Sequence, residues 1–244
     1  MEAGAILRIL KTEEDNRRAR VELERRGLSM VRRGWPGRLG RLLGIERLSI
    51  GDLRKSWDVL ATAAFIEAHL TKQEPIIDFG AFHSEITGVL SRMGYENLHA
   101  VDLNPRLARG PYPDRIRYWV GDFLATGYAA GTFAAITAIS AIEHGHDLDR
   151  LLSEVSRLLR PGGLFVGSTD YWPEKIDTSG IRIFGMDWTV FSAVDMAGLF
   201  ESARRCGLAP AGAVDYGAGD PVIQFAGRGY TFAWFALQKE GGGA

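Results

Sequence analysis

Residues 76–102 read IIDFGAFHSEITGVLSRMGYENLHAVD, and this stretch decides the fold class. It opens on a short apolar run closed by Gly80, the form of a buried strand. Ile86, Val89, Leu90 and Met93 then fall on one helix face, and Gly94 suits the residue that ends such a helix. A second run, NLHAVDL, contains the next strand and ends beyond Asp102. Strand, helix and strand in this order form a βαβ unit, whose strands lie parallel in a sheet covered on both faces.

The same alternation continues outward. Upstream, Leu53, Trp57, Leu60, Ala64 and Ala68 mark an amphipathic helix that ends before Pro75. Downstream, IRYWVGDF and FAAITAIS are short and rich in strand formers. Leu148, Leu151, Leu152, Val155, Leu158 and Leu159 repeat with helical spacing until Pro161-Gly162-Gly163, and LFVGS follows as a fifth strand. Residues 170–191 are an aromatic, turn-rich insertion. Ser192 and Asp195 then form a capping box for the helix MAGLFESARRC, closed by Gly207. The tail offers a strand near 208–216 and a stronger one at YTFAWFALQK. The pattern predicts a doubly wound α/β domain over residues 51–240, built on a seven-stranded, mostly parallel sheet.

Residues 1–50 differ in character. Residues 1–55 hold 14 of the 29 Lys and Arg but 8 of the 30 acids, so this segment is near +6 and the remainder near −7. Residues 2–26 have a helical tendency, and RRGWPGRLGRLLG is punctuated by glycine and proline. The segment reads as a basic N-terminal extension: a solvated helix and loop, a substrate lid, a dimer arm or a phosphate-binding patch. A homodimer is therefore left open. With 46% hydrophobic and 24% charged residues the 244-residue chain is neither disordered, collagenous nor coiled-coil. Its net charge of −1 gives no global footprint for nucleic acid. No apolar run reaches the roughly 18–20 residues of a membrane span, and the N-terminus lacks a secretory h-region. The single cysteine, Cys206, fits a reducing compartment, so the expected location is cytoplasmic.

In open parallel sheets ligands bind beyond the carboxyl ends of the strands, where strand order reverses. Those ends are polar here. The first closes on Asp78-Phe79-Gly80-Ala81-Phe82, and the second on Asp102-Leu103, about 22 residues beyond Gly80, a distance that suits an acid holding ribose hydroxyls. A dinucleotide requires G-x-G-x-x-G to bring backbone to its pyrophosphate, and here Phe82 stands where the second glycine would be. Glu85 at the helix start is expected to repel a second negative group. A phosphate-free, cationic nucleoside fits better than a nicotinamide dinucleotide.

At this point the chain resembles the class I S-adenosylmethionine-dependent methyltransferases over roughly residues 52–239. The family's D-x-G-x-G-x-G loop is matched at Asp78 and Gly80, its ribose acid at Asp102 in VDLNP, and its adenine-contacting acid at Asp122, followed by Phe123, in VGDF. The segment after the fourth strand looks like Ser140-Ala141-Ile142-Glu143-His144, and the helix-ending R-x-L-x-P-G-G runs from Arg157 to Gly163. Phe82 and Ser84 replace the loop's second and third glycines, which leaves a non-catalytic SAM-binding module as an alternative. The closing YTFAWFALQK is similar to the family's antiparallel last strand.

The resemblance implies S-adenosylmethionine as cofactor, with Asp78, Gly80, Ala81, Phe82, Asp102, Leu103, Asp122, Phe123 and Ser140 around it. It implies a small-molecule acceptor, for which the SAIEH variant suggests a hydroxyl of a sugar, glycan intermediate or secondary metabolite. His144, whose imidazole titrates near neutrality, suits general base, and Glu143 suits orienting it or binding the acceptor. Asp170, Tyr171, Trp172 and Trp188 are the expected acceptor-binding residues, with Phe184 and Phe191 extending the wall. Some quinone-pathway relatives hold a divalent metal here, but Ser140 replaces the first acid, so no metal is expected. His146-Asp147 reads as the start of the next helix. A further alternative makes Arg32, Arg33, Arg38 and Arg41 with Trp35 a docking site for RNA or another polyanion.

Overall fold

The computed structural model describes residues 5–31, 50–145, 147–210 and 212–241. Five parallel strands form the centre of the sheet: β2 (Ile76–Phe79), β3 (Leu98–Asp102), β4 (Ile116–Val120), β5 (Phe133–Ile139) and β6 (Leu159–Tyr171). Their order is β4-β3-β2-β5-β6, so the chain winds one way from β2 and the other way from β5. The crevice at this reversal is where such sheets bind ligands. β12 (Arg228–Lys239) pairs antiparallel with β6, as the resemblance of YTFAWFALQK to a family's antiparallel last strand implies.

Ten strands form this sheet among the described residues, because short segments extend the seven-stranded scheme around β12. They are β1 (Ala5–Ile9), β9 (Leu208–Pro210), β10 (Ala213–Val214) and β11 (Ile223–Phe225). β1 corrects the helical reading of residues 2–26, which holds only for α1 (Glu13–Arg25). A five-residue apolar run carries no period that separates strand from helix, and the free edge of β12 supplies the ladder that decides it. Leu7 thus lies opposite Phe235, and Ile9 opposite Ala233.

Helices cover both faces. α2 (Ser56–His69) and α3 (Ile86–Arg92) bury Val59, Ile66, Val89 and Leu90 against one face. α4 (Leu148–Leu158) and α5 (Ala193–Arg205) bury Leu151, Leu152, Val155, Leu199 and Phe200 against the other. The expected capping box is present, with Ser192 and Asp195 each accepting from the other's backbone N–H. A small hairpin, β7 (Arg182–Ile183) and β8 (Met186–Asp187), stands within the insertion.

α1 is tied to the start of α3 by one ion pair. Arg20 donates to Glu85 at 2.9 Å, and the two residues are 3% and 2% exposed. Arg20 also donates to the hydroxyls of Ser56 and Ser29, so one guanidinium joins α1, α2 and α3. Gly51 packs directly over the pair. Its φ of +81° is left-handed, and a Cβ there would meet Glu85 Oε2 at 2.4 Å.

Arg20→Ala would leave Glu85 buried without its counter-charge, and urea unfolding should register a loss of about 3–5 kcal/mol. Arg20→Met combined with Glu85→Gln should recover most of it. Equal losses in the single and double variants would mean that packing, not charge, holds α1.

Candidate functional site

The loop after β2 is shaped by close approach. Gly80 adopts φ +69°, and a Cβ on it would meet the Ala141 Cβ at 2.7 Å. The loop's N–H groups then turn towards β3: Ala81 donates to the Val101 carbonyl at 3.1 Å, and Phe82 donates to Asp102 Oδ2 at 3.0 Å. Asp102 Oδ1 accepts from Asn104 N–H at 2.8 Å. One carboxylate thereby fixes both loops at the switch point.

These loops border two cavities. The larger, of about 470 Å³, is walled by Asp102, Leu103, Asn104, Phe123 and Ala141. The second, of about 270 Å³, reaches inward to Lys55, Glu143, Asp170 and Tyr230. Gly80, Phe82, His83, Ser140, His144 and Phe184 line both, so the cavities meet along a shared rim. His144 lies on that rim, its ring edge-on to Phe184 at 5.6 Å between centroids.

Ser140 adopts φ +49°, an uncommon conformation for a residue with a side chain. It is held by two acceptors, the carbonyl of Ser168 at 3.0 Å and its hydroxyl at 3.2 Å. That hydroxyl donates to Asp58 Oδ2 at 2.7 Å, from the first turns of α2. Burial lifts the Asp58 carboxyl to about 6, against the opposing charge of Lys55.

The inner cavity is lined by acids. Glu143 is 1% exposed, and its carboxyl is pushed up to about 8 by burial and then by the Asp170 charge, with Lys55 opposing. Asp170 accepts from Lys55 at 3.3 Å and from the Trp188 indole N–H at 2.7 Å. Lys55 also lies over the Phe232 ring, 3.4 Å from its centroid. Asp170 raises the Tyr230 hydroxyl further than burial alone does.

Several expected site residues stand elsewhere. Asp78 is fully buried below the loop, accepts from the Thr137 hydroxyl at 2.6 Å and does not reach either cavity wall; burial lifts it to about 7. Asp122 accepts from Leu124 N–H at 2.9 Å and caps its own turn, while Phe123 beside it lines the larger cavity. Tyr171 is also a correction. Neighbouring strand residues face opposite sides, so with Asp170 in the cavity Tyr171 points into the α4–α5 core and donates to the Tyr216 carbonyl. Trp172 packs at the margin of a cluster formed by Leu10, Trp188, Val190 and Phe232. Trp188 is 2% exposed and stands behind the cavity wall, holding Asp170. Glu85 corrects the repulsion argument as well, because Arg20 compensates its charge. Trp57 is partly buried in the core, and His146 and the Arg32, Arg33, Trp35, Arg38 and Arg41 stretch lie outside the described residues.

Arg54, Lys55 and Tyr230 line the inner cavity without having been singled out in the sequence. A signal was there for two of them. Cations at a helix start oppose the helix dipole, and Arg54 and Lys55 directly precede α2. Asp52 answers one of them, pairing with Arg54 at 2.7 Å, and Asp170 the other. Tyr230 had no local signal, since it is one aromatic residue of a strand rich in them.

Comparison with known proteins agrees with this geometry. Residues 77–167 match the family model described as "Methyltransferase domain". Over 136 residues the chain is 26% identical to mouse EEF1A lysine methyltransferase 4, covering 48% of this chain and 53% of that one. It is 36% identical over 52 residues to sterol 24-C-methyltransferase ERG6B of Gibberella zeae, covering 21% of this chain and 14% of that one. The chain thus spans about half the length of the first relative and less of the second. Its fold is shared with a putative sarcosine dimethylglycine methyltransferase from Galdieria sulphuraria, at TM-score 0.54 and 15% identity over 83% of this chain and 97% of that one. The geranyl diphosphate C-methyltransferase of Streptomyces coelicolor A3(2) superposes at TM-score 0.55 and 18% identity, over 73% and 78% of the two chains.

The buried acids set a pH dependence. Asp58, Asp78 and Glu143 all have raised folded-state values, of about 6, 7 and 8. Their stabilising share is complete below their unfolded values near 4 and is lost as pH rises through the folded ones. Asp52, Glu74 and Glu154 are shifted downward, so their contribution changes only in the acid range. Burial lowers His99 to about 4, which opposes the acids between pH 5 and its usual value, but the three upward shifts together outweigh it. Urea unfolding should therefore show lower stability at pH 8 than at pH 5, and Asp78→Asn should flatten that slope. A rising slope would contradict the assignment.

Proposed function

We propose, from the premise that residues 77–167 are a class I S-adenosylmethionine-dependent methyltransferase domain, that the chain methylates a small polar acceptor held in the inner cavity. The observation that carries this reading is the shared rim of the two cavities at His144. A nucleoside in one and an acceptor in the other would meet there. The names of the relatives span lysine and sterol acceptors, so the acceptor class rests on the cavity of this chain.

The residues present fit the cofactor. Gly80 leaves no room for a Cβ, as a backbone cradle requires, and Asp102 turns its carboxylate to the larger cavity. Each Asp102 oxygen accepts one backbone N–H and keeps a second lone-pair site for a ribose hydroxyl. Leu103 and Phe123 offer apolar contact for a base, and Phe82 and Ser140 border the path to the inner cavity, whereas Ala81 is buried and lines neither cavity. Asp78 supports the loop from beneath through Thr137, and Asp122 through its own turn.

S-adenosylmethionine supplies an electrophilic methyl group on a sulfonium leaving group. The chain must orient the acceptor, exclude water and receive a proton. Orientation supplies a large share of such a barrier reduction. His144 at the rim takes the proton from an acceptor hydroxyl, Glu143 binds the acceptor from below, and Trp188 fixes Asp170 as part of the wall. Phe184, 76% exposed and lining both cavities, shields the rim. We place the catalytic domain at residues 51–240, with β1 and α1 bracing it.

Calorimetry with S-adenosylmethionine and S-adenosylhomocysteine, followed by an acceptor screen scored by S-adenosylhomocysteine release, tests the function. Asp102→Ala should weaken cofactor binding by roughly 10–100-fold, the scale of hydrogen bonds to a charged group. His144→Ala should lower turnover by about 10²–10⁴-fold with cofactor affinity unchanged. Undiminished turnover in that variant would remove His144 as the base, and no binding of either nucleoside would end the reading.

A further inference from the structure

One acid of the inner cavity has no cation of its own. Among the described residues, four carboxyl groups line this cavity: Asp52, Glu85, Glu143 and Asp170. Three of them have a cation of their own, since Arg54 pairs with Asp52, Arg20 with Glu85 and Lys55 with Asp170. Glu143 has no ion pair among the described residues. Its Oε2 is buried without a hydrogen-bond partner, although the residue lines the cavity. A buried carboxyl in that position either keeps its proton or waits for a cation.

Aromatic rings complete the surroundings. Tyr230, Phe225 and Phe184 line the same cavity. Phe225 and Tyr230 are held edge-on by Trp188 at 5.3 and 5.4 Å between centroids, so their placement is set by the buried cluster behind them. A carboxylate facing aromatic rings recognises an organic ammonium, whose charge meets the acid and whose methylene or methyl groups meet the ring faces.

We infer that the acceptor carries a cationic nitrogen and that Glu143 is the residue that holds it, with the rings of Tyr230, Phe225 and Phe184 around the ammonium. This rests on the methyltransferase reading of the two cavities and specifies the chemical class of the small polar acceptor as an amino alcohol or amino sugar. Glu143 is then a binding residue that selects for charge, and His144 at the rim serves the hydroxyl. Asp170 is the weaker attractor for the ammonium, because Lys55 already compensates its charge at 3.3 Å.

The test uses ligand pairs that differ only in charge. The full chain is saturated with S-adenosylhomocysteine, a neutral thioether that contributes no sulfonium, and titrated by calorimetry with choline against 3,3-dimethyl-1-butanol, and with glucosamine against glucose. Each ammonium ligand should bind at least tenfold tighter than its neutral twin, and Glu143→Gln should abolish the difference while leaving S-adenosylhomocysteine affinity unchanged. Equal binding within both pairs, or no binding of either ammonium ligand to the loaded protein, would overturn the inference. So would a Glu143→Gln variant that loses affinity for S-adenosylmethionine but keeps its preference for choline, because Glu143 would then face the cofactor's sulfonium. Should that variant fail to fold, the ligand pairs on the unaltered protein still decide. Failure of S-adenosylhomocysteine itself to bind would instead strike the methyltransferase reading beneath it.

Discussion

The architecture of the site depends on the Asp102 carboxylate accepting backbone N–H groups from two loops at once. Phe82 belongs to the loop after β2 and Asn104 to the loop after β3, and neither segment is regular. A charged acceptor makes stronger hydrogen bonds than a neutral one, and two of them on one side chain hold both loops at a common distance. The larger cavity is the space left between them. Its size is set by that distance and by the close contact of Gly80 with Ala141, which brings in the loop after β5.

Around this bridge the chain accumulates buried carboxyls. Asp58, Asp78, Glu85, Glu143 and Asp170 are all at most 5% exposed, and each belongs to a different segment converging on the switch point. Their environments separate their roles. Asp58 and Asp78 are bonded to hydroxyls and support loops, Glu85 and Asp170 are paired with cations, and of the two acids that keep an oxygen without a partner, Asp78 and Glu143, Glu143 lines a cavity. Burial without compensation is costly, so such groups persist where surrounding structure holds them and where they serve binding or chemistry.

The central fold was readable from period and punctuation, because apolar runs closed by Gly80 and Asp102 and a helical stripe between them leave few alternatives to a βαβ unit. The Ser192–Asp195 capping box was equally legible, since its two hydrogen bonds span three residues. Ala5–Ile9 was not, because the strands it pairs with, β10 and β12, both lie more than two hundred residues away. In the site, Asp102 and His144 reach the cavities as their strand-end positions suggest. Tyr171 does not, because a one-residue step along β6 sends its side chain through the sheet.

What the sequence determined by itself is local: which runs are strands, where helices begin and end, and which acids fall at strand ends, all governed by interactions a few residues long. Which side chains share a cavity was decided by the tertiary structure alone. Lys55, Asp170 and Trp188 come from α2's start, β6 and the insertion, and only sheet order, strand facing and the packing of the insertion on β12 bring them to one carboxylate. The lack of a cation at Glu143 has the same origin, because which acid pairs with which base is decided between residues distant in the chain, once their separations in space are given.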